Sequence, residues 1–448
     1  MKLFQQMLVA SASLSLIAPI AAQASDVVNL EEMNSYTRSS KKSSRIDSKS
    51  FINKVDENLA NLQVPVEGLE KNKYEFEAGT FSDTTVLDTT AVFAATRIDG
   101  AHKVNTAGAT DTVQTMYTYT MNMNTSFTGD DNLYVRLRTG NGRVRDANGR
   151  STGSFYEKTA FYHTDTYSGG VDTLAVDKLW YTTPIGDSEN WSATFGGKIE
   201  NYYMYAAPVS IYRPGFHKAF KLGSLSGAFG ASTATGAGVK YVADNGFAAS
   251  TNIVSKGATT TAGFMTNEDE SKWDTMLAYT QDQYHVSLTL SQQHEDWSSF
   301  SYYATDAAAS VTEDANATAY AARAYWRPED SGFKPEISVG WDIIDFTGQA
   351  GNNAKQATSY FVGLGWQDVL NDSDYFGVGF GQPLKITETA DGTLADDDGL
   401  APFLWEASYH FKVNDSLTMI PAVFGANDIQ SSAEQDIFGL ALTTKFKF

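Results

Sequence analysis

The chain has 448 residues, no cysteine and a formal net charge of −20, with 33 Lys and Arg residues against 53 Asp and Glu residues. This acidic balance disfavours a dedicated nucleic-acid binder, because such proteins gain affinity from basic residues that neutralise phosphates. The lack of cysteine excludes disulfides, thiolate nucleophiles and cysteine-ligated metal sites. Aromatic residues make up 13% of the chain although the mean hydropathy is −0.30, which favours segments with one apolar face and one wet face.

The N-terminus has the features of a secretory signal. Lys2 precedes an apolar stretch over residues 7–20, and residues 22–24 form the small-x-small pattern that signal peptidases cut after. The apolar stretch is shorter than the ~18 to 20 residues that a spanning helix needs, which disfavours a transmembrane anchor. Residues 1–24 are therefore predicted to be a signal peptide, and the protein to be exported.

A serine-rich segment, residues 25–50, follows the signal. It has almost nothing to bury, so it is predicted to be flexible. Two interpretations stay open for its basic residues, a weak contact with anionic cell-wall polymer and a solvated tail; these residues are Arg38, Lys41, Lys42, Arg45 and Lys49.

Residues 51–73 carry apolar side chains at alternating spacings of three and four, which is the seam of a short coiled coil. The seam consists of Ile52, Val55, Leu59, Leu62, Val66 and Leu69, with Pro65 interrupting it. An oligomeric stalk and a single amphipathic helix packed on the following domain both fit this pattern.

From about Thr84 to Phe448 the apolar residues alternate with polar ones at a period of two. Val286, Leu288 and Leu290, for example, are interleaved with Ser287, Thr289 and Ser291. Short turns alternate with longer polar or acidic loops, and we count about 16 strands. The sequence therefore predicts an all-β fold: a transmembrane antiparallel up-and-down β-barrel of about 16 strands over residues 84–448, preceded by the short coiled-coil helix.

Two features favour a membrane barrel over a soluble β-sandwich. Tryptophans lie at predicted strand ends beside turns, where interfacial aromatic girdles occur: Trp191, Trp273, Trp326 and Trp366. The last strand alternates and ends on an aromatic residue, which is typical of the barrel-assembly signal of bacterial outer-membrane proteins; its outward residues are Leu440, Leu442, Phe446 and Phe448.

Six stretches together resemble the cyanobacterial outer-membrane porins, the OprB-like family also described as iron-uptake porins: DNLYVRLRTGNG (131–142), VDTLAVDKLWYTTPIGD (171–187), SYFVGLGWQDV (359–369), FGVGFGQP (376–383), WEASYHFKVNDSLTMIPAVF (405–424) and FGLALTTKFKF (438–448). The resemblance implies passive transport of inorganic ions, iron species and sugars, a trimer, and a coiled coil before the barrel. Family members typically carry an S-layer-homology domain after the signal. Residues 25–50 are too short for one, which puts anchoring to peptidoglycan by that route in doubt.

No catalytic, cofactor or metal motif emerges from the sequence. The six histidines are scattered, and His294-Glu295 lacks the second histidine of a zinc motif. Gly377, Gly379 and Gly381 are not followed by a helix, so they are predicted to be small inward positions in a strand rather than a dinucleotide site. The protein is therefore predicted not to be an enzyme. The alternative of an outer-membrane hydrolase would need a nucleophile and a base at one rim of the barrel, and no sequence motif indicates such a pair.

Five arginines are the candidate pore-lining residues: Arg136, Arg138, Arg143, Arg145 and Arg150. If Leu133, Val135 and Leu137 face lipid, Arg136 and Arg138 face the lumen and continue into a loop that could line a constriction. The alternative is that these arginines neutralise nearby lumen carboxylates. Because the acidic total charge and an arginine constriction oppose each other, only weak ion selectivity is expected.

The sequence thus predicts an outer-membrane porin, a passive diffusion channel for small hydrophilic solutes that needs no catalytic residue. A secreted soluble β-sheet carbohydrate-binding protein is the alternative.

Overall fold

The structure, a computed structural model, describes residues 84–99, 112–141, 172–222, 233–295, 297, 315–330, 332–392, 403–427 and 436–448. Sixteen antiparallel strands in these ranges pair in chain order, and β1 also pairs with β16, so the sheet is closed into a barrel. The predicted fold class and the predicted strand number are confirmed. The proposed signal peptide, the basic segment and the coiled-coil seam lie outside the described residues.

The strands follow one another with short turns at one end of the barrel, here the turn end, and longer connections at the other, the loop end. The first eight are β1 (Thr85–Asp99), β2 (Val113–Thr125), β3 (Asn132–Gly140), β4 (Ala175–Pro184), β5 (Trp191–Ile199), β6 (Ala234–Val242), β7 (Phe247–Ser255) and β8 (Ser271–Thr280). The last eight are β9 (Tyr284–His294), β10 (Asn316–Trp326), β11 (Glu336–Thr347), β12 (Ala354–Gln367), β13 (Tyr375–Thr389), β14 (Phe403–Asn414), β15 (Leu417–Asn427) and β16 (Ile437–Lys447). Among the described residues, no helix is long and apolar enough to cross a membrane.

Alternation along each strand decides which side chains face outward. In β9, Val286 and Leu288 are more than half exposed, whereas Thr289 and Ser291 are fully buried. The exposed apolar side chains form the outer surface because successive residues of a strand point to opposite faces of the sheet. The outward phase that the sequence predicts for this strand is confirmed.

Aromatic residues concentrate near the strand ends on the outer surface. Trp191, Trp326 and Trp366 lie at the turn end, and Trp273 lies near the loop end. Trp191 packs against Tyr241 with ring centroids 5.0 Å apart. Such rings suit the boundary between hydrocarbon and water because they are apolar with a polar edge.

The C-terminal residues close the barrel. Phe448 exchanges two backbone hydrogen bonds with Thr89 of β1, at 2.9 and 3.0 Å. Phe446 lies across the seam from Phe93, edge to face at a centroid distance of 6.1 Å. Leu440 and Leu442 pair with β1 on the same side. The residues proposed as the assembly signal therefore form the last contacts that complete the sheet.

Two turns are capped by an aspartate that directly precedes the next strand. Asp131 accepts hydrogen bonds from the backbone N–H groups of Phe127 and Thr128 and from the Tyr181 hydroxyl, at 2.7 to 2.8 Å. Although partial burial acts to raise it, these donors hold the pKa of Asp131 well below its usual range. Asp374 is held in the same way by the Tyr409 hydroxyl, at 2.5 Å.

Candidate functional site

The connection between β5 and β6 enters the barrel. Residues 200–222 of this connection are called the inner segment here and contain two short 3-10 helices, Asn201–Met204 and Lys218–Leu222. The Tyr205 hydroxyl donates to Asp274 of β8 at 2.6 Å, and the Ile211 N–H donates to Ser338 of β11 at 3.1 Å. Both acceptors belong to inward-facing side chains, so the inner segment lies against the inside of the wall.

One side of the inner segment packs on an apolar inner surface. Tyr205, Ala206, Ala207 and Val209 form one buried cluster with inward residues of β7 to β13, among them Ala248, Met276, Ala319, Ile344, Phe346 and Leu384. The sequence analysis predicted polar residues throughout the lumen. The structure differs from this prediction here, because these inward residues are apolar. This part of the wall is apolar because the inner segment covers it and excludes water.

A single carboxylate holds the tip of the inner segment. Glu406 of β14 accepts hydrogen bonds from the backbone N–H groups of Gly215 (2.8 Å), Phe216 (2.9 Å) and His217 (2.6 Å), and from the Tyr212 hydroxyl (2.9 Å). Glu406 is fully buried. A buried carboxylate is costly unless it is well hydrogen-bonded, and these four donors satisfy it. The tip is therefore fixed in position and orientation.

Aromatic packing adds to this anchor. Phe216 stacks on Phe424 of β15 with centroids 3.4 Å apart and planes 6° from parallel. The His217 Nε2 lies 3.2 Å from the Trp405 carbonyl oxygen. Burial lowers the pKa of His217 to about 4, so the imidazole is uncharged at neutral pH.

A row of inward glycines receives the Tyr212 ring. A Cβ added at Gly363 or Gly379 would lie 2.7 Å from ring or hydroxyl atoms of Tyr212, and one added at Gly377 would lie 2.8 Å from Tyr375. The predicted role of Gly377 and Gly379 as small inward positions is confirmed. Nothing in the sequence pattern indicated that a tyrosine from a distant connection fills the space.

Four aromatic rings brace the start of the inner segment against β3 and β4. Tyr134, Trp180, Tyr203 and Tyr202 stack in that order, with centroid distances of 4.3, 4.7 and 4.4 Å. Because each ring uses its faces to cover the next, the ladder offers few free faces on which a sugar could stack. We therefore interpret it as a structural support.

Of the five candidate arginines, the structure describes Arg136 and Arg138. Arg136 points inward, as predicted, and pairs with Asp177, while its Nη1 lies 3.3 Å from the Tyr203 hydroxyl. The ion pair fits the alternative in which the arginine neutralises a lumen carboxylate. Arg138 is also on β3, and its Nε has no hydrogen-bond partner among the described residues. Arg143, Arg145 and Arg150 lie outside the described residues.

The inner segment itself was not singled out by the sequence interpretation. Loops were identified by polarity, whereas this connection is rich in aromatic residues, including Tyr202, Tyr203, Tyr205, Tyr212, Phe216 and Phe220. An aromatic connection between two barrel strands has to bury its rings, and the interior is the available place. The aromatic composition of this connection could therefore have indicated that it folds into the barrel.

No group of three or more His, Asp or Glu side chains in the described ranges could hold a metal ion. The interior thus combines a closed barrel, an anchored inner segment and charged side chains on the wall. The inner segment therefore takes up part of the space that the barrel encloses.

Comparison with known proteins places this fold. An uncharacterized protein of Nostoc sp. (strain PCC 7120) is 26% identical over 427 residues, which cover 87% of this chain and 70% of that protein. The solved structure of Pseudomonas putida OprB at high pH has a TM-score of 0.52 and 12% identity, covering 82% of this chain and 94% of that chain. No protein-family model matches the chain. The fold is that of a porin barrel.

Proposed function

We propose that the protein is an outer-membrane porin through which small hydrophilic solutes diffuse passively. The observation that carries this proposal is the inner segment, which is anchored inside a closed barrel by Glu406. A barrel with an apolar outer surface satisfies its backbone within a bilayer, and a segment folded inward narrows the lumen.

The finer assignments are proposed on the family resemblance. Inorganic ions, iron species and sugars are the proposed solutes, and a homotrimer is the proposed assembly, with the seam from Ile52 to Leu69 as one contribution to it. Export by residues 1–24 and a weak cell-wall contact through the basic residues between Arg38 and Lys49 complete the proposal.

Purified protein reconstituted into planar bilayers tests the channel function. The proposal predicts discrete conductance steps that grow with salt concentration and solute entry into liposomes that depends on solute size. Folded protein that inserts, as shown by a gel mobility that changes on boiling, and yet gives no steps would refute the channel.

The exposed apolar residues disfavour the soluble carbohydrate binder. Phe93, Phe195, Leu277, Leu288 and Trp341 are about half exposed on the outer surface. A surface of this kind in water would be an aggregation liability, whereas in a bilayer it is covered by lipid. Extraction of the protein from membranes without detergent would favour the soluble alternative.

A further inference from the structure

The outer surface of the barrel changes from apolar to polar near the loop end of strands β8 to β12. Leu277 and Leu288, in the apolar part, are more than half exposed. Nearer the loop end, the outward side chains form a row across the sheet that is mostly polar: Trp273, Gln292, Thr318, Asp345 and Gln356. In the proposed outer-membrane porin the longer loops are extracellular, so this row lies near the headgroups of the outer leaflet.

A groove of about 400 Å³ opens on this row and is called the polar groove here. Its outward polar side chains come from the loop ends of β9, β10 and β11: Gln292, His294, Asn316, Thr318 and Thr347. Gln292, Asn316 and Thr347 are exposed. Within the described part of the chain, the side chains of Gln292 and Thr318 make no hydrogen bond. Amide and hydroxyl groups of this kind can both donate to a ligand and accept from it.

Trp273 adds a fixed aromatic surface to the polar groove. Its indole N–H donates to the Thr251 hydroxyl oxygen at 2.7 Å, and that oxygen lies 3.1 Å from the Thr275 hydroxyl oxygen. The Trp273 side chain nevertheless remains 44% exposed. Because its N–H group is satisfied on the barrel surface, the ring has a defined orientation and offers an apolar face on which the C–H groups of a sugar ring can pack.

A second depression, called the apolar depression here, shares Trp273 and Ile253 with the polar groove. It has a volume of about 360 Å³ and lies over β5 to β8, where the outward lining includes small apolar side chains: Ala193, Ala237 and Val239. Ala193 and Val239 lie one step nearer the turn end than the row of Trp273, whereas His294 lies one step nearer the loop end. The two depressions therefore have the relative order of a lipid headgroup and its acyl chain.

The charges around the polar groove disfavour an anionic headgroup. Among the described residues that line it, none is Lys, Arg, Asp or Glu. Asp345 belongs to the same row, and the Glu295 Oε1 lies 3.9 Å from the His294 Nε2. Lys256, in the connection between β7 and β8, pairs with Glu270 at 2.7 Å. A lipid phosphate would approach carboxylates here, whereas a neutral sugar can hydrogen-bond to amides, hydroxyls and carboxylates alike.

We propose that this outer surface binds a glycolipid of the outer leaflet. Its neutral sugar headgroup occupies the polar groove against Trp273, Gln292 and Asn316, and one acyl chain occupies the apolar depression. The proposal rests on the proposed outer-membrane function, because it needs the loop end to lie at the outer leaflet. The lipid is held on the outside of the barrel, so this site is separate from the passage for solutes.

The test is native mass spectrometry of the protein in an amine-oxide detergent, which carries no sugar. The probe is digalactosyldiacylglycerol, and the comparison lipids are phosphatidylcholine and phosphatidylglycerol with the same acyl chains. The wild type should bind the digalactosyl lipid at least about tenfold more tightly than either comparison lipid, because several hydrogen bonds and one ring contact each contribute a factor of a few.

The groove variant is Trp273→Ala/Gln292→Ala, which should reduce the preference for the digalactosyl lipid to within about twofold. The matched control is Trp191→Ala/Gln283→Ala, which makes the same two changes at the turn end, where Trp191 has nearly the same exposure, 46%. The control should keep the preference of the wild type.

A wild-type protein without this preference, tighter binding of phosphatidylglycerol, or equal effects of the two double variants overturns the inference. Conductance of the same preparations in planar bilayers tests the channel separately: wild-type protein that conducts without the preference loses only the lipid site, and protein that inserts without conducting loses only the channel. Heat-modifiable mobility shows that each variant is assembled. If the groove variant does not assemble, Gln292→Ala carries the test with a smaller loss in the same direction, and an unchanged preference in that variant overturns the inference.

Discussion

At the scale of single residues, Glu406 and its hydrogen-bond donors fix the tip of the inner segment. Four hydrogen bonds converge on one buried carboxylate. Stacking of Phe216 on Phe424 holds the same tip from the side. In the proposed channel, the width of the passage depends on a few buried contacts between the inner segment and strands that are distant from it in sequence.

Glu406→Gln should loosen the tip. The amide of the glutamine keeps only one acceptor oxygen and turns its NH2 group towards some of the backbone N–H donors. Each buried donor that loses its acceptor in this way destabilises the docked tip by about 1 to 3 kcal/mol. We expect larger and noisier single-channel steps and a lower temperature for the gel-mobility change. Glu388→Gln, in an exposed ion pair with Lys355, is the control. Unchanged steps in Glu406→Gln would show that the anchor does not set the passage.

Gly215→Ala tests the close approach of the tip to β14. An added Cβ would lie 2.2 Å from the Ser408 Cβ, whereas one at Gly197 would meet nothing within 4 Å. A contact that short forces the backbone to move, so Gly215→Ala should raise conductance and lower thermal stability by about 1 to 3 kcal/mol. Gly197→Ala should behave as the wild type. Equal behaviour of the two variants would contradict the observed packing.

His217 predicts a pH dependence. Docking holds the pKa of its imidazole at about 4 through burial, while the undocked segment would have the usual value of about 6.5. The undocked state therefore binds more protons between these values. Docking should weaken by up to about 3 kcal/mol as the pH falls from 6.5 to 4 and should be fully retained above 6.5.

The measurement is channel noise between pH 7 and pH 4, compared with His217→Gln, which cannot titrate. The titration of Glu406 is common to both proteins, so the difference isolates the histidine. Noise that rises equally in both as the pH falls would remove His217 as the cause.

At the scale of strands and connections, period-two alternation was sufficient to predict the barrel. It placed the apolar face of β9 and the glycine positions of β13 correctly because lipid and interior impose opposite demands on alternate residues. The inner segment was not predicted, because its partner surface comes from strands dispersed along the chain, such as those that hold Ser250, 44 residues from Ala206, and Glu406, 194 residues from Tyr212. The alanines of β10, Ala317, Ala319 and Ala321, gave no signal either, since small residues suit an interior of either polarity.

Two adjacent residues of β2 test which of its side chains face lipid and which face the lumen. Met121 belongs to the outward set, and Thr120 is inward and pairs with Arg138. A charge on the lipid face costs up to about 2 to 4 kcal/mol, depending on depth, so Met121→Glu should reduce the yield of assembled barrel. Thr120→Glu should assemble normally because its carboxylate lies beside a cation in the lumen. The assay is the fraction with heat-modifiable mobility. Equal yields would mean that the phase of β2 is wrong.

At the scale of the whole molecule, apolar and charged side chains occupy different parts of the protein. Apolar side chains form the outer surface, the described part of the interior connection is basic, and acidic residues dominate the total. This separation explains how a ring-rich chain can have a negative mean hydropathy. Weak ion selectivity stays a prediction, because the acidic total charge and an arginine-lined constriction would act in opposite directions.

We propose that the inner segment narrows a water-filled passage through the barrel. The most direct measurement compares the single-channel conductance of the wild type with that of a variant in which residues 206–219 are replaced by a short glycine-serine linker. We expect discrete wild-type steps and clearly larger steps in the variant. Steps of equal size in two assembled barrels would contradict it.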